Sequence, residues 1–146
     1  MDSQAIHQIR HFDRFYTQLF RLTDKYHLHT TLTLVEARLL LEIGENHRNT
    51  AVQLTQALTI DKGYLSRLLT KLADRGLLQR TANPVDKRTK ILVLTTAGEA
   101  SLATINERAD EQVQHLFANL TPTETQQVLD AMATIQAHVQ TKPTDE

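Results

Sequence analysis

The apolar residues of this chain recur at steps of three and four along most of its length, and that period breaks once, after Gly76, where it shortens toward two. A chain patterned this way is a helical protein carrying one pair of strands. Ile6, Ile9, Phe12, Tyr16, Leu19, Phe20 and Tyr26 form one stripe over residues 4–27, and Leu34, Ala37, Leu40 and Leu41 a second over 34–44, with Gly44 and Asn46 as its stop signals. A short third helix covers 51–58. Leu65, Leu68, Leu69 and Leu72 define a fourth over 61–75, ended by Gly76. Residues 77–81 and 90–95 then read as two strands, joined by a loop whose turn chemistry is Asn83 and Pro84. Two more helices follow over about 97–118 and 122–139. With only four Gly and three Pro in 146 residues, little interrupts them.

Helix starts are marked locally. Thr33 with Glu36, Thr50 with Gln53, Thr96 with Glu99 and Thr121 with Glu124 each have the spacing of a capping box, in which the two side chains satisfy amides left free at a helix start. Pro122 occupies the first helical position after Thr121.

The formal charge of the whole chain is only -1, but its distribution is uneven. Residues 61–90 hold eight basic groups against Asp61, Asp74 and Asp86, a local balance of +5 that leaves -6 for the rest. A basic block is felt within about 10 Å at physiological salt, so it meets phosphates on its own terms. The absence of cysteine excludes disulfides, thiolate metal sites and cysteine nucleophiles. The longest apolar run is the four residues 91–94, and no charged start followed by an apolar segment opens the chain, so a cytoplasmic protein without membrane contact is expected. No phosphate loop, nucleophile elbow or HExxH motif supports an enzyme.

The short third helix, the turn at 58–60 and the basic, hydroxyl-bearing fourth helix form a helix-turn-helix, and the hairpin behind it makes a winged helix. On the run Asp61-Lys62-Gly63-Tyr64-Leu65-Ser66-Arg67-Leu68-Leu69, the following Leu72 and Arg75-Gly76-Leu77, and the wing run Asp86-Lys87-Arg88 with Leu94-Thr95 and Gly98, the chain resembles the MarR family of bacterial transcription regulators over nearly its whole length. Phe12-Asp13-Arg14-Phe15-Tyr16 and Leu32-Thr33-Leu34-Val35-Glu36-Ala37-Arg38 are similar to the MarR domains fused to GNAT acetyltransferases. The sequence holds no Gly-rich acetyl-CoA loop, so that activity does not carry over. The resemblance implies a mainly α, α+β winged helix-turn-helix unit over 1–141, with dimerisation helices at 4–27 and 97–139, a DNA-binding lobe at 33–95 and a flexible tail at 142–146. It also implies a homodimer that reads a pseudo-palindromic operator in double-stranded DNA, as a repressor, with its affinity modulated by a small aromatic or anionic molecule.

Arg67 is the first candidate for base reading, because a guanidinium bonds two guanine acceptors at once. Lys62, Tyr64, Ser66 and Thr70 share its face. Gly63 costs about 1 kcal/mol in a helix relative to Ala, and close backbone approach to DNA accounts for it. Lys71 is a further candidate DNA contact; it and Arg75 lie nearer the helix C-terminus, where a cation also favours the dipole. The resemblance places Arg88 in the minor groove, with Asp86 holding its guanidinium. Lys87 and Lys90 are expected on phosphates, as are the amides near Thr50 and Gln53. For an effector cleft, His11, Tyr16 and Arg38 are the polar candidates. Seven histidines, His27 and His29 among them, with Glu36, Glu42 and Glu107, leave a zinc-responsive regulator of the same fold as one alternative. A winged-helix module for protein contacts is the other; the charge of the fourth helix argues against it, since interface cores deplete charge.

Overall fold

The computed structural model describes residues 1–139, so the expected tail at 142–146 lies outside them. Its elements are α1 (Ser3–Leu19), α2 (Leu34–Gly44), α3 (Ala51–Leu58), α4 (Lys62–Asp74), β1 (Leu78–Ala82), β2 (Lys90–Leu94), α5 (Thr96–Leu116) and α6 (Pro122–His138). The strands pair antiparallel, Leu78 opposite Leu94, Arg80 opposite Leu92 and Ala82 opposite Lys90. This is the expected mainly helical winged-helix architecture.

Local chemistry explains most boundaries. Thr33 and Thr50 form complete capping boxes with Glu36 and Gln53. Asp2 caps α1 and Asp61 caps α4, each through its carboxylate. The start of α5 is one residue earlier than expected: Thr95 is the cap, not Thr96. The Thr95 hydroxyl accepts from the Gly98 N–H and donates to the Gly76 carbonyl, while its own N–H donates to Leu77. One residue therefore ties the far end of the wing to the end of α4. That end is a Schellman motif: Gly76, at φ 75°, and Leu77 donate back to the carbonyls of Ala73 and Leu72. Gly44 does not cap α2 as expected but is its last helical residue. A Cβ there would crowd Leu94 and Leu102, so it admits β2 and α5 against the helix.

The first helix stops at Leu19, well short of the expected residue 27. Arg21 adopts a left-handed conformation at φ 53°, and Leu28 and His29 do so again within a short 3-10 turn. The apolar stripe continues through Leu22 and Tyr26, but the backbone has already turned. Side chains of α5 hold this link: Arg108 donates to the carbonyls of Leu28 and His29 at 3.0 and 2.8 Å, and Gln112 donates to that of Phe20.

The core is built on α2, which packs against α3, α5 and β2, while α4 packs against α3 and β1. Leu39, Leu40, Leu54, Leu65 and Leu72 are its most deeply buried apolar side chains, each contributing about 1.5–3 kcal/mol by leaving water. The outer helices differ. Neither α1 nor α6 buries a single residue fully, and Ile6, Ile9, Phe12 and Phe15 on the one and Leu129 and Ile135 on the other stand about half exposed.

Candidate DNA-binding surface

Helix α3 ends at Leu58, its cap Thr59 turns the chain through a left-handed conformation at φ 53°, and Asp61 caps the start of α4 two residues later. The turn packs on Leu58 and Ile60, and α4 is held from beneath by Leu65, Leu68, Leu69 and Leu72. Lys62, Gly63, Tyr64, Ser66, Arg67 and Thr70 are thereby left exposed. The Arg67 guanidinium lies 5.9 Å from the Tyr64 ring centroid, a cation–π contact that orders the long side chain.

The wing is fastened to this helix by a residue the sequence reading left out of the site. Arg80 on β1 shares the inward face with Leu78, and its Nη2 donates to the Thr70 hydroxyl at 3.0 Å and to the Ser66 carbonyl at 3.5 Å. The signal was present: a period of two from buried Leu78 directs Arg80 toward α4. Between α3, α4 and the wing lies a groove of about 330 Å³, lined by Lys62, Arg80, Arg88 and Lys90 over an apolar floor of Leu65, Leu69 and Leu92.

At the wing tip, the Asp86 carboxylate accepts from the backbone N–H of Arg88 at 3.1 Å, whereas the guanidinium is 4.0 Å away. Asp86 thus shapes the turn more than it holds the guanidinium, and the Arg88 side chain is 96% exposed. Asn83 shapes the other side of the loop by accepting from Val85. Lys87 and Lys90 are also exposed.

The start of α3 has less to offer phosphate than expected. The Gln53 N–H goes to the Thr50 hydroxyl, and the Gln53 side chain accepts from the amides of Asn49 and Thr50. Lys71 and Arg75 are exposed but engaged by the chain at the start of α2. Lys71 Nζ lies 3.4 Å from the Glu36 carboxylate, and Arg75 donates to the Thr31 carbonyl and hydroxyl.

His11, Tyr16 and Arg38 are not brought together. His11 and Arg38 are exposed, and Tyr16 sits in an aromatic row with Phe12 and Phe20, at 5.8 and 4.7 Å between ring centroids. A cavity of about 560 Å³ lies instead between the end of α1, the link to α2 and α5, lined by Phe20, Arg21, His29, Arg108, Gln112 and His115 among others. Burial, and secondarily the Arg38 charge, push the His27 imidazole below its ordinary value of 6.5. His7 and His11 stand one turn apart on α1, so the chain does carry a His-x-x-x-His spacing on a helix. Among the described residues, no group of three or more His, Cys, Asp or Glu is placed to hold a metal ion. No helix among them is long and apolar enough to cross a membrane.

The family model described as MarR family matches residues 32–90, the segment holding α2, the helix-turn-helix and most of the wing. The chain is 32% identical over 105 residues to the multiple antibiotic resistance protein MarR of Escherichia coli K12, covering 71% of this chain and 73% of that protein. It is 33% identical over 89 residues to an uncharacterized HTH-type transcriptional regulator of Bacillus cereus, covering 61% and 58%. Among solved structures, a mutant of the E. coli MarR complexed with operator DNA superposes with a TM-score of 0.74 at 27% identity, covering 93% of this chain and 99% of that one. Bordetella bronchiseptica BpsR superposes with a TM-score of 0.69 at 22% identity, covering 91% and 98%. With the family model lying on the very segment that presents the basic helix and wing, and the relatives covering most of the chain, the chain belongs to the MarR family of DNA-binding transcription regulators, which are not enzymes.

Proposed function

We propose that this regulator is a homodimeric repressor. Its two recognition helices, α4 of each subunit, read half-sites of a pseudo-palindrome about one helical turn apart, and its two wings enter the flanking minor grooves. The observation that carries the dimer is the apolar face left on α1 and α6, which bury no residue fully within the chain. Closing a second copy over Ile9, Phe12 and Ile135 removes that surface from water. In this reading 1–141 acts as one unit, its outer helices joining subunits and residues 33–95 contacting DNA.

Arg67 reads bases; Lys62, Tyr64, Ser66 and Thr70 contact bases or phosphates beside it; Gly63 lets the backbone approach. Arg88 enters the minor groove from a turn shaped by Asp86. Lys87 and Lys90 neutralise phosphates. The support is exposure, the clasp of Arg80 and the likeness to a MarR bound to operator DNA.

A small anionic effector shifts the spacing of the two lobes. The cavity beside Arg108 and His29 supports this, since it lies against the link that joins α1 to the DNA-binding lobe. BpsR, of the same fold, has its DNA binding regulated by 6-hydroxynicotinic acid. Selection of bound duplexes from a random pool, with light scattering at micromolar protein, tests the core of the reading. A two-fold symmetric site and a dimer are expected. An asymmetric single half-site bound by a monomer overturns it.

A further inference from the structure

The carboxylate of Glu36 is the one buried charged group of the described core, with the residue 1% exposed. One oxygen completes the α2 capping box by accepting from Thr33 N–H at 2.9 Å. The other, Oε2, has no hydrogen-bond partner, and the Lys71 ammonium stands 3.4 Å from it. A buried carboxylate without a counter-charge costs several kcal/mol, so removing this ammonium alone leaves a destabilising buried charge. Lys71 is nonetheless 57% exposed and directly follows the outward Thr70, so release from Glu36 leaves its ammonium in solvent beside that face. A cap requires only an acceptor toward Thr33, which glutamine supplies equally well. What glutamate adds is the charge facing Lys71.

We propose that Glu36 is a specificity-determining positioning residue: it holds the Lys71 ammonium against the start of α2 and so withholds a cation from the DNA phosphates. Phosphate contacts contribute affinity for every sequence alike, so removing one raises the share of binding that depends on base reading. Arg75 is bound to the same helix start through Thr31, so both cations at the end of α4 are engaged within the chain. The inference rests on the DNA-binding role of α4.

The test is the salt dependence of binding to a random-sequence duplex, measured by fluorescence anisotropy between 50 and 200 mM KCl on the full chain. In Glu36→Gln the amide oxygen keeps the cap and the amide nitrogen repels the lysine, which is released. The slope of log K against log salt is expected to steepen by about 0.9 for each subunit engaged, so affinity falls about 3.5-fold further per subunit across that range. Lys71→Gln is expected to keep the wild-type slope. The double variant E36Q/K71Q, which leaves no buried charge unpaired, is expected to do the same and carries the test if Lys71→Gln fails to fold. A wild-type slope in Glu36→Gln, or a slope flattened by about 0.9 per subunit in Lys71→Gln or the double variant, overturns the assignment. Failure of the wild type to bind DNA at any salt would instead refute the role of α4.

Discussion

Replacing Gly63 with alanine separates what the folded chain needs at that position from what DNA needs. Gly63 lies in the first turn of α4, is exposed, and is not among the residues with positive φ. A Cβ built on it would meet Asp61 Oδ1 at 3.4 Å and Arg67 Nη1 at 3.8 Å, both ordinary van der Waals contacts. Nothing within the chain demands glycine, and a helical Gly costs about 0.5–1 kcal/mol relative to Ala. Gly63→Ala should therefore raise stability by up to about 1 kcal/mol per subunit, moving Tm up by roughly 2–4 °C. On DNA the sign reverses. A methyl forced into a close-packed contact costs about 1–3 kcal/mol, which is a roughly 5- to 150-fold loss of affinity. Thermal unfolding by circular dichroism and anisotropy titration on the selected operator measure the two effects on one preparation. Unchanged operator affinity would refute the close approach of this backbone to DNA, and a lowered Tm would refute the reading that the site has room for Cβ.

Other substitutions probe separate parts of the surface. Arg67→Ala should cost about 1–3 kcal/mol on the operator and relax base preference at one position, read by competition among mismatched duplexes, whereas Lys87→Ala should weaken all duplexes alike and flatten the salt slope by about one unit. Equal operator affinity of Arg67→Ala and wild type would remove that residue from the site. Gly98→Ala should be severely destabilising, because its Cβ would overlap the Leu77 carbonyl oxygen and stand 3.0 Å from the carbonyl carbon; urea unfolding should show a loss of at least about 1–3 kcal/mol. His27 supplies a pH dependence. Its folded pKa is depressed, so the unfolded chain binds the extra proton first. Its contribution is present above pH 6.5 and is lost as pH falls from there through the folded value. Tm followed from pH 7.5 downward should fall less in His27→Gln than in wild type, and parallel curves would show that the imidazole contributes nothing.

Sequence and structure agree where the determining interactions are local. The limits of α2 and α3 follow from the boxes at Thr33 and Thr50, which join residues three apart and form wherever the helix does. The break of period at Gly76 placed the wing to within a residue or two, because a left-handed glycine ends a helix by its own conformational freedom. The outward side chains of α4 were likewise legible, since four buried leucines determine which way the rest of one helix turn faces.

Agreement ends where a group finds its partner far along the chain. The stripe of α1 predicts helix to residue 27, but the link after Leu19 turns back on α5, and Arg108 and Gln112, some eighty to ninety residues away, take up its carbonyls. The spacing to Glu99 favours Thr96 as the cap, but the Gly76 carbonyl, nineteen residues back, engages the Thr95 hydroxyl and makes Thr95 the cap. Lys62 and Lys71 are alike as letters on a basic helix, yet one lines the open groove and the other faces a buried carboxylate from α2. The sequence by itself determined the elements, the face of the reading helix and the kind of partner, because periodicity, capping and charge act over one or two turns. The tertiary structure decided which cations remain free to meet that partner, because the energy of a charge depends on what the fold places within a few ångströms of it.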